Sequence, residues 1–578
     1  MSLAAAFLAL LCITAGDDPR TPRVQITPIL HTGDQAPGIP GVAIGYLFTP
    51  QIDGAGNVLI SALLDDGSGR AFFYGPPGSL ALIARQGGPT PDLPPGVTFS
   101  GLIGAGSLAE SGTIAFTGIF QGPGVTPGAD DVGLWVGTAG ELHLAVRAGD
   151  PAPGTESGTV HRYNGTFAAL LNDIGESLLY TDLAGPEVEE TNDRGMWVGP
   201  PENRQLIWRE GMEAPGTGGA RFAWADGIKF NDAGAIAFRG GLVRQGVVDH
   251  ANNEGYWAGG VIDLQLVARE GDQAWGMPIG VLYGGAMGFR AFNGSGDVPW
   301  AMSLTGEGVT PDNNRALWVM CEEQSRVVGR KGDSVPEVRD GVELHSVGSE
   351  LINASGQLFY SVKYRGDPID DSNAWAMHLG ACDNPQQTIR DGDPAPHLPE
   401  GTVLAFVGIV PGITAMNDVG DIVTGTEIVG PDVTEDNKVV VWFHERVRAE
   451  WFPLLRSGAI VEDGVVSIPS AVDLITAYWN KTGGSDGQRQ SFNDPGQLAI
   501  KLEFLDGTHG VFALRFSWPG DGDRDADVDF ADFGYFQACF AASEVPPFPG
   551  CETVDFDGNG DVDLLDYDRF LLALTGAR

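Results

Sequence analysis

Basic residues are scarce in this chain. Its 578 residues include 34 Lys and Arg against 76 Asp and Glu, which gives a formal net charge of −42. A field of that sign repels nucleic acid and anionic membranes, so both are excluded as partners. The same field favours solubility and the retention of divalent cations.

Long apolar runs are also missing, apart from one at the start. Residues 3–15 form an apolar stretch that is too short to span a bilayer and is typical of a secretory signal peptide. We therefore predict a signal peptide over residues 1–16. The protein is expected to be secreted, in the extracellular space or at the cell surface, and to have no membrane span.

Cysteine is sparse as well. The chain has five cysteines, and Cys12 belongs to the apolar run. The other four form an even set in a secreted chain, which predicts two disulfides. Pairing by position gives Cys321–Cys382 and Cys539–Cys551.

Recognisable catalytic motifs are absent from the sequence. There is no His-Glu-x-x-His, no Gly-x-Ser-x-Gly elbow in a suitable context and no phosphate loop. A glycosidase needs two carboxylates that face each other across a bond. The 76 acids give no way to choose such a pair, so no catalytic residue is predicted.

What the chain has in abundance is repetition, in two alternating phrases. Asn or Asp first and Gly fourth suit a tight turn, and the apolar alternation that follows suits a half-buried strand. This Asn phrase begins at residues 172, 231, 293, 353, 417 and 493, with weaker copies at residues 53 and 109. The other, the Arg phrase, reads Arg-x-Gly-Asp-x-Ala-Pro-Gly in its fullest form. It begins at Arg85, Arg147, Arg209, Arg269, Arg330, Arg390 and Arg456, with a divergent copy at His31.

The phrases recur at an interval of about sixty residues, with two further strand candidates between them. Each unit therefore carries four short strands, which is typical of a β-propeller blade. Residues 24–33 match only the fourth strand, and residues 463–517 supply only the first three. We predict a mainly β protein with an eight-bladed propeller over residues 24–517, closed by the N-terminal strand. A string of small β-sandwiches is the alternative.

Two kinds of large side chain recur at fixed places in the repeat. For the Arg series, bonds to carbonyls or carboxylates at blade junctions are favoured over a ligand-facing ring. For the Trp series in the third strand, a core position is favoured over a sugar-binding platform. The Trp series consists of Trp135, Trp197, Trp257, Trp318, Trp375 and Trp442.

One face of the predicted propeller is rich in carboxylates, because strand direction places there the loops between second and third strands. These acidic loops begin at residues 122, 185, 247, 308, 366 and 430. They suit a cation-dependent surface for a glycan or a protein, with a solvated acidic rim as the simpler alternative. His250 and the insertion at 475–494 break the repeat, so they are better candidates for a specific site than the repeated residues.

The last sixty or so residues change character and carry the strongest motif. Residues 521–532 and 555–566 each fit a twelve-residue calcium loop followed by an apolar helix. Calcium prefers oxygen, and alternate residues of a tight loop can point at one centre, so two Ca²⁺ ions are predicted. The expected side-chain ligands are Asp521, Asp523, Asp525, Asp529 and Asp532 in the first loop and Asp555, Asp557, Asn559, Asp563 and Asp566 in the second. Backbone carbonyls are expected from Asp527 and Asp561.

These motifs carry two family resemblances. Two such loops, each with one following helix and Asp at position 12, resemble a type I dockerin over about residues 520–578. The tandem phrases resemble the NxxGxxAF repeat family of secreted bacterial proteins. The dockerin resemblance implies an EF-hand-like helical module at 518–578 that folds with calcium and docks to a cohesin-like or other extracellular protein. Positions 10 and 11, often polar in that family, are Phe530–Ala531 and Leu564–Leu565, so internal packing or docking onto the propeller is an alternative.

Three functions are therefore weighed. The first is a secreted binding or scaffold protein, with a propeller that binds a partner such as a glycan and a calcium-dependent module for attachment. The second is a polysaccharide-active enzyme, a glycoside hydrolase or lyase that carries a dockerin. The third is a structural component of the cell surface. An acid pair that breaks blade symmetry in the central cleft would favour the enzyme.

Overall fold

The computed structural model describes most of the chain between residues 23 and 574. The described residues are 23–200, 203–243, 246–289, 291–322, 324–336, 338–405, 414–446, 449–458, 460–461, 464–467, 491–522, 528–540, 551, 554–556 and 561–574. The predicted signal peptide, residues 1–16, lies outside these ranges. Within them, no helix combines the length and the apolar character needed to cross a membrane.

The protein is mainly β and forms an eight-bladed propeller of antiparallel sheets. Blade 1 contains β2 (Ile44–Leu47), β3 (Gln51–Ile52), β4 (Val58–Leu64), β5 (Arg70–Gly75) and β6 (Ala81–Arg85). Blade 2 contains β7 (Thr98–Leu108), β8 (Ile114–Gln121), β9 (Val132–Thr138) and β10 (Glu141–Arg147). Blade 3 contains β11 (Val160–Leu171), β12 (Ser177–Ala184), β13 (Arg194–Val198) and β14 (Gln205–Arg209). Blade 4 contains β15 (Arg221–Phe230), β16 (Ile236–Val243), β17 (Glu254–Gly259) and β18 (Gln265–Arg269).

The second half of the propeller repeats this plan. Blade 5 contains β19 (Val281–Phe289), β20 (Val298–Gly306), β21 (Arg315–Cys321) and β22 (Gln324–Arg330). Blade 6 contains β23 (Glu343–Ile352), β24 (Gln357–Arg365), β25 (Trp375–Ala381) and β26 (Gln386–Arg390). Blade 7 contains β27 (Val403–Ala405), β28 (Ala415–Met416), β29 (Ile422–Val429), β30 (Val439–Glu445) and β31 (Glu450–Arg456). Blade 8 contains β32 (Ile460–Val461), β33 (Gly464–Ser467), β34 (Gln497–Phe504) and β35 (His509–Ser517).

The earliest strand of the described chain lies in the sheet of blade 8. β1 (Arg23–His31) runs antiparallel to β35, from Arg23 opposite Ser517 to His31 opposite Gly510. The order of that sheet is β1-β35-β34-β33-β32. β1 therefore occupies the position that the fourth strand has in the other blades.

In six of the eight blades, the core contains the Trp of the third strand, as predicted. Trp135, Trp197, Trp257, Trp318 and Trp442 are all at most 1% exposed, and Trp375 is half-buried. In blades 2, 4 and 5, the Trp stacks on an aromatic ring of the second strand, as in the pair Phe116–Trp135 with ring centroids 5.8 Å apart. In blades 2 to 5, a ring of the first strand meets the edge of the Trp, as Phe99 does at 4.9 Å. Such stacked and edge-on pairs bury large areas and add specific geometry, so the Trp series is core.

Two helices follow the propeller, in the segment predicted to be helical. α1 (Phe530–Cys539) has Asp529 as its N-cap, and α2 (Leu564–Ala573) has Asp563. Each cap belongs to a capping box, in which the N-cap carboxylate and the acid three residues later satisfy each other's backbone N–H groups. Disulfides join Cys321 to Cys382, between blades 5 and 6, and Cys539 to Cys551, as predicted.

Candidate functional site

The Arg phrase holds the acidic loop of its own blade. The Nε–H of each Arg from Arg147 onwards donates to the carbonyl of a loop residue near the start of the third strand, at 2.5–3.0 Å. The acceptors are Asp130, Asn192, Asn252, Asn313, Asn373 and Asn437. The expectation that this series bonds carbonyls is confirmed, but these bonds do not lie at blade junctions as predicted, because each of them lies within one blade. The repeated Arg side chains are therefore structural.

The rest of the phrase makes the corner that leads into the next blade. The Asp carboxylate accepts the backbone N–H of the phrase's own Arg, as Asp150 does from Arg147 at 2.7 Å. The Pro carbonyl accepts the indole N–H of the Trp of the following blade, as Pro153 does from Trp197 at 2.8 Å. Gly154 closes the phrase with φ +76°, a conformation that L side chains rarely adopt. The phrase recurs because each corner has to fasten one blade to the next.

The Asn phrase makes a second connection between blades. The amide of Asn172 donates to the carbonyl of Asn231, which donates to Asn293, which donates to Asn353, at 2.9–3.2 Å. Asn417 likewise donates to Asn493 at 3.2 Å. Residues that bond directly from blade to blade lie on a small circle, so these turns surround the propeller axis. An Asn at the first position can make this bond, whereas Asp53 of blade 1 and Ala109 of blade 2 have no side-chain N–H to donate.

The second residue of the Asn phrase brings carboxylates to the same ring. Asp232 accepts the backbone N–H of Asp173, and Asp494 accepts that of Asp418, each at 2.8 Å. Burial raises the pKa of both carboxyls. The pKa of Asp494 is raised further by Asp232 and lowered by Arg446. Since Asp232 belongs to blade 4 and Asp494 to blade 8, opposite sides of this ring are close enough to interact. The sequence analysis did not single out these residues. The available signal was that Asp recurs at the second position of the Asn phrase.

Five of the six acidic loops on the other face are organised by one repeated Asn, and the loop that begins at residue 122 has Asp130 in its place. Asn192 Oδ1 accepts the N–H of Glu189 at 2.7 Å, and its amide donates to the Glu187 carbonyl at 3.1 Å. Asn313 and Asn437 make the matching contacts in blades 5 and 7. The Asn side chains of this face therefore hold the loops closed, while the carboxylates around them face solvent. A solvated rim with local turn chemistry accounts for these contacts.

The features that break the repeat, His250 and the insertion at 475–494, were predicted as candidates for a specific site. The described residues give little support for such a site. His250 is exposed, with its ring N 3.5 Å from the Asp249 carboxylate. Its φ is +56°, and its backbone N–H donates to Asn253 Oδ1 at 2.9 Å. Residues 475–490 of the insertion lie outside the described residues. His250 thus lies on an exposed turn, with the Asp249 carboxylate beside its ring.

The two calcium-loop segments share one local geometry. In the first, Asp532 accepts the backbone N–H of Gly522 at 2.6 Å and that of Asp529 at 2.7 Å. In the second, Asp566 accepts those of Phe556 at 2.7 Å and Asp563 at 2.8 Å. Asp532 and Asp566 are both fully buried. In both loops, the position-12 carboxylate therefore ties the start of the loop to the helix that follows it.

The structure brings together part of the predicted ligand set. Carboxylate oxygens of Asp561, Asp563 and Asp566 lie within 4.8 Å of one another. Asp561 was expected to offer a backbone carbonyl, and the structure adds its carboxylate to this cluster. Asp521 and Asp555 are buried at the equivalent first positions of the two loops. Five predicted ligands lie outside the described residues: Asp523, Asp525, Asp527, Asp557 and Asn559.

The helical module packs against the end of the propeller. One apolar cluster includes Phe452 of blade 7, Phe504 of blade 8, Trp518 and Phe570. Trp518 is 3% exposed, and its ring centroid lies 5.2 Å from that of Phe452. The residues at positions 10 and 11 do not take part, because Phe530 is 84% exposed, Leu564 69% and Leu565 60%. The alternative in which these side chains pack internally is therefore wrong.

Comparisons with known proteins cover the propeller. A model of a family of unknown function, DUF7453, matches residues 21–202, 108–467 and 383–516. No curated protein sequence matches the chain. Among solved structures, an oligogalacturonate lyase in complex with manganese is 11% identical with a TM-score of 0.33, over 73% of this chain and 96% of that one. The Dos1 propeller is 9% identical with a TM-score of 0.35, over 84% and 95%. The Pyrococcus horikoshii acylaminoacyl peptidase is 8% identical with a TM-score of 0.32, over 71% and 52%. Likeness at these values carries no argument about function.

Proposed function

Since the chain belongs to the DUF7453 family, whose function is unknown, we propose a function from its own residues. The protein is a secreted binding or scaffold protein. Its propeller presents an acidic face to a partner such as a glycan, and its C-terminal dockerin-like module attaches it to an extracellular protein in a calcium-dependent way.

The propeller is a ring closed by the N-terminal strand. β1 supplies the fourth strand of blade 8, and the amide of Asn493 donates to the carbonyl of Asp53 in blade 1 at 2.7 Å. Closure leaves the ring without an unpaired first or last blade, and such edges are otherwise liable to pair with other chains. A ring of this kind is a rigid scaffold for its loops.

The observation that carries the calcium proposal is the geometry of Asp532 and Asp566. Both are fully buried carboxylates that accept two backbone N–H groups in equivalent places of two equivalent loops. The donor set fits a hard cation, because the loops offer carboxylates at the alternating positions that calcium loops use. The residues that would hold the ions are those named at positions 1, 3, 5, 7, 9 and 12. Bound calcium would neutralise carboxylates that otherwise repel one another within each loop.

The exposed apolar residues support an attachment role. Phe530, Leu564 and Leu565 follow the two N-caps and stay outside the core. Large exposed apolar side chains grouped on a small module are typical of protein–protein contacts. A cohesin-like or other extracellular protein is the partner that this surface and the dockerin resemblance favour. The two disulfides suit the same oxidising compartment.

The test is a calcium titration of the full chain by calorimetry, with Trp518 fluorescence followed in parallel. We expect two bound ions and a change in the environment of Trp518, which lies where the module meets the propeller. The double variant Asp532→Asn/Asp566→Asn should lose binding, because position 12 of each loop loses its carboxylate. The matched control is Asp568→Asn, an exposed acid of α2. If neither wild type nor control binds calcium, the calcium-dependent module is excluded.

A further inference from the structure

Blade 4 combines a large side chain with a missing one where its first two strands pair. Trp224 of β15 lies outside the third-strand Trp series and is partly exposed. Its partner in the ladder is Gly241 of β16, where a Cβ would collide with the indole, so the ring lies against bare backbone. Gly241 also makes the last pair between the second and third strands, and the other seven blades carry a side chain at that place. These residues are Leu63, Ile119, Asp182, Ser303, Lys363, Glu427 and Glu503.

The fold does not require a ring at the position of Trp224. This residue comes two places after Phe222, the first-strand ring that meets the edge of the third-strand Trp. Blades 2 and 5 have the same aromatic core, and two places after its first-strand ring they have Gly101 and Gly285. Trp224 and Gly241 therefore break the repeat together, and a feature that breaks the repeat is a better candidate for a specific site than a repeated residue.

A rigid polar pair stands over the indole. The guanidinium of Arg239 lies 5.1 Å from the centroid of the Trp224 ring. Its Nε and Nη2 donate to the two carboxylate oxygens of Asp226 at 2.9 and 2.5 Å, and this two-bond contact fixes both groups. The side chains stay accessible, with 28% of Arg239 and 44% of Asp226 exposed. Glu254 of β17, the ladder partner of Gly241, lies on the same side of the sheet. An aromatic face and a planar set of donors and acceptors therefore lie side by side.

This surface borders the mouth of the central channel. β15 is the innermost strand of blade 4, because the Asn turns that surround the axis join the first strand of each blade to the second. Trp224 lies near the start of β15, which the corner of the Arg phrase places on the face of the acidic loops. Blade 5 covers the outer strands of this side: its β19 packs against β16 and β17, and the Tyr256 hydroxyl of β17 donates to the Gly288 carbonyl at 2.8 Å. Trp224, Asp226 and Arg239 therefore remain accessible from the channel.

We propose that Trp224, Asp226 and Arg239 bind a neutral glycan at the mouth of the channel. A flat indole held against the sheet suits the C–H face of a pyranose ring, since both surfaces are apolar and can stack. The carboxylate and the guanidinium each present two polar atoms in one plane, which suits a pair of adjacent hydroxyl groups. Asp226 and Glu254 outnumber Arg239, and the chain has a net charge of −42, so a sugar acid is disfavoured. This site rests on the glycan partner of the proposed function, and it needs no calcium.

The test is affinity electrophoresis of the full chain in native gels that contain a soluble neutral polysaccharide: mixed-linkage β-glucan, glucomannan or arabinoxylan. We expect at least one of them to retard the wild type, both with calcium and with a chelator. Trp224→Ala should raise the dissociation constant about tenfold or more, because a central aromatic ring carries much of the binding free energy. Asp226→Asn should raise it about threefold through the lost charge-assisted hydrogen bonds, and Trp224→Phe should keep most of the retardation. Trp275→Ala, at an exposed Trp of the corner after β18, is the matched control and should change nothing.

A second measurement needs no variant. Hydroxyl-radical oxidation, read by mass spectrometry, should find Trp224 protected when the retarding polysaccharide is added, while Trp275 is oxidised as before. The site is overturned if Trp224 is not protected or if Trp224→Ala binds like the wild type, and the glycan partner would then bind at another place. Retardation by polygalacturonate alone, or retardation that a chelator abolishes, would overturn it as well. A wild type that none of the neutral polysaccharides retards overturns both this site and the glycan partner, whereas the calcium titration tests attachment separately.

Discussion

The propeller and the C-terminal module both repeat a polar phrase, but they place the partners of that phrase differently. In the propeller, two of the repeated contacts have their partner in a neighbouring unit: Trp197 donates to Pro153 of the preceding corner, and Asn231 donates to Asn293 of the following blade. The Arg–carbonyl bonds, such as that of Arg209, stay within one blade. In the module, the partner lies in the same unit, as when Asp532 accepts the N–H groups of Gly522 and Asp529. A repeated residue can therefore serve either to join units or to shape one unit.

This difference has consequences for stability. Units that bond to their neighbours gain stability from each interface, so a substitution that destabilises one blade also destabilises the next. A unit that closes on itself depends on its own contacts, and a cation that neutralises a loop of carboxylates would add to its stability. The propeller should therefore respond to changes in packing, and the module to calcium.

The largest expected effect is that of removing a Trp that joins two units. Trp197→Ala deletes a fully buried ring and its bond to Pro153, and should lower the free energy of unfolding by about 4 kcal/mol. Trp197→Phe keeps most of the buried area and should cost about 1–2 kcal/mol for the lost hydrogen bond. The measurement is urea unfolding followed by intrinsic fluorescence. Trp275→Ala is the control, since that side chain is 50% exposed. Equal losses for Trp197→Ala and Trp275→Ala would contradict the account.

The second expected effect is a pH dependence of stability that arises in the propeller. His161 fills the place of Phe99 in blade 2, and burial lowers its pKa to about 4 from an ordinary value of 6.5. The folded state therefore binds this proton less readily than the unfolded chain. Its contribution to stability is fully present above pH 6.5 and is lost as pH falls towards 4, by up to about 3 kcal/mol.

His161→Phe, which copies the residue of blade 2, should remove that part of the acid lability of the propeller. The check is thermal unfolding at pH 7 and pH 4.5, where the variant should gain stability relative to wild type only at the lower pH. His143→Phe is the control, because the His143 side chain is 70% exposed. An identical pH dependence for wild type and His161→Phe would show that this imidazole does not limit stability in acid.

The smallest expected effect is confined to one unit. Asp529→Ala removes the N-cap of α1, whose carboxylate accepts the Ala531 N–H at 2.6 Å. In calcium-free buffer, it should lower helix stability by about 1 kcal/mol. Circular dichroism at 222 nm reports the helix, while urea unfolding reports the propeller, which should not change. Asp568→Ala on α2 is the control. A matching loss of propeller stability would show that the module does not act alone.

The sequence was a good guide wherever a residue acts through its position in a repeat. The eight blades, their four strands, the buried Trp series and the Arg–carbonyl bonds were all predicted, because turn chemistry and apolar alternation are local. Cys321–Cys382 and Cys539–Cys551 also pair as the sparse cysteines suggested. The calcium ligands stay a prediction, which the buried position-12 carboxylates support.

The residues that sequence reasoning missed act through neighbours far along the chain. Asp232 raises the pKa of Asp494 only because turns far apart in the chain lie around the same axis. The exposure of Phe530, Leu564 and Leu565 depends on how α1 and α2 pack, and an apolar residue in a sequence does not show which side it faces.

The sequence by itself therefore determined the kind of fold, the size of its repeat and the two loops with calcium-ligand spacing, because each depends on residues a few positions apart. The tertiary structure decided which of the many carboxylates are buried, which meet one another and which face solvent. Burial and charge–charge distance set the pKa and the ligand chemistry of a carboxyl group, and both arise only when distant segments pack together.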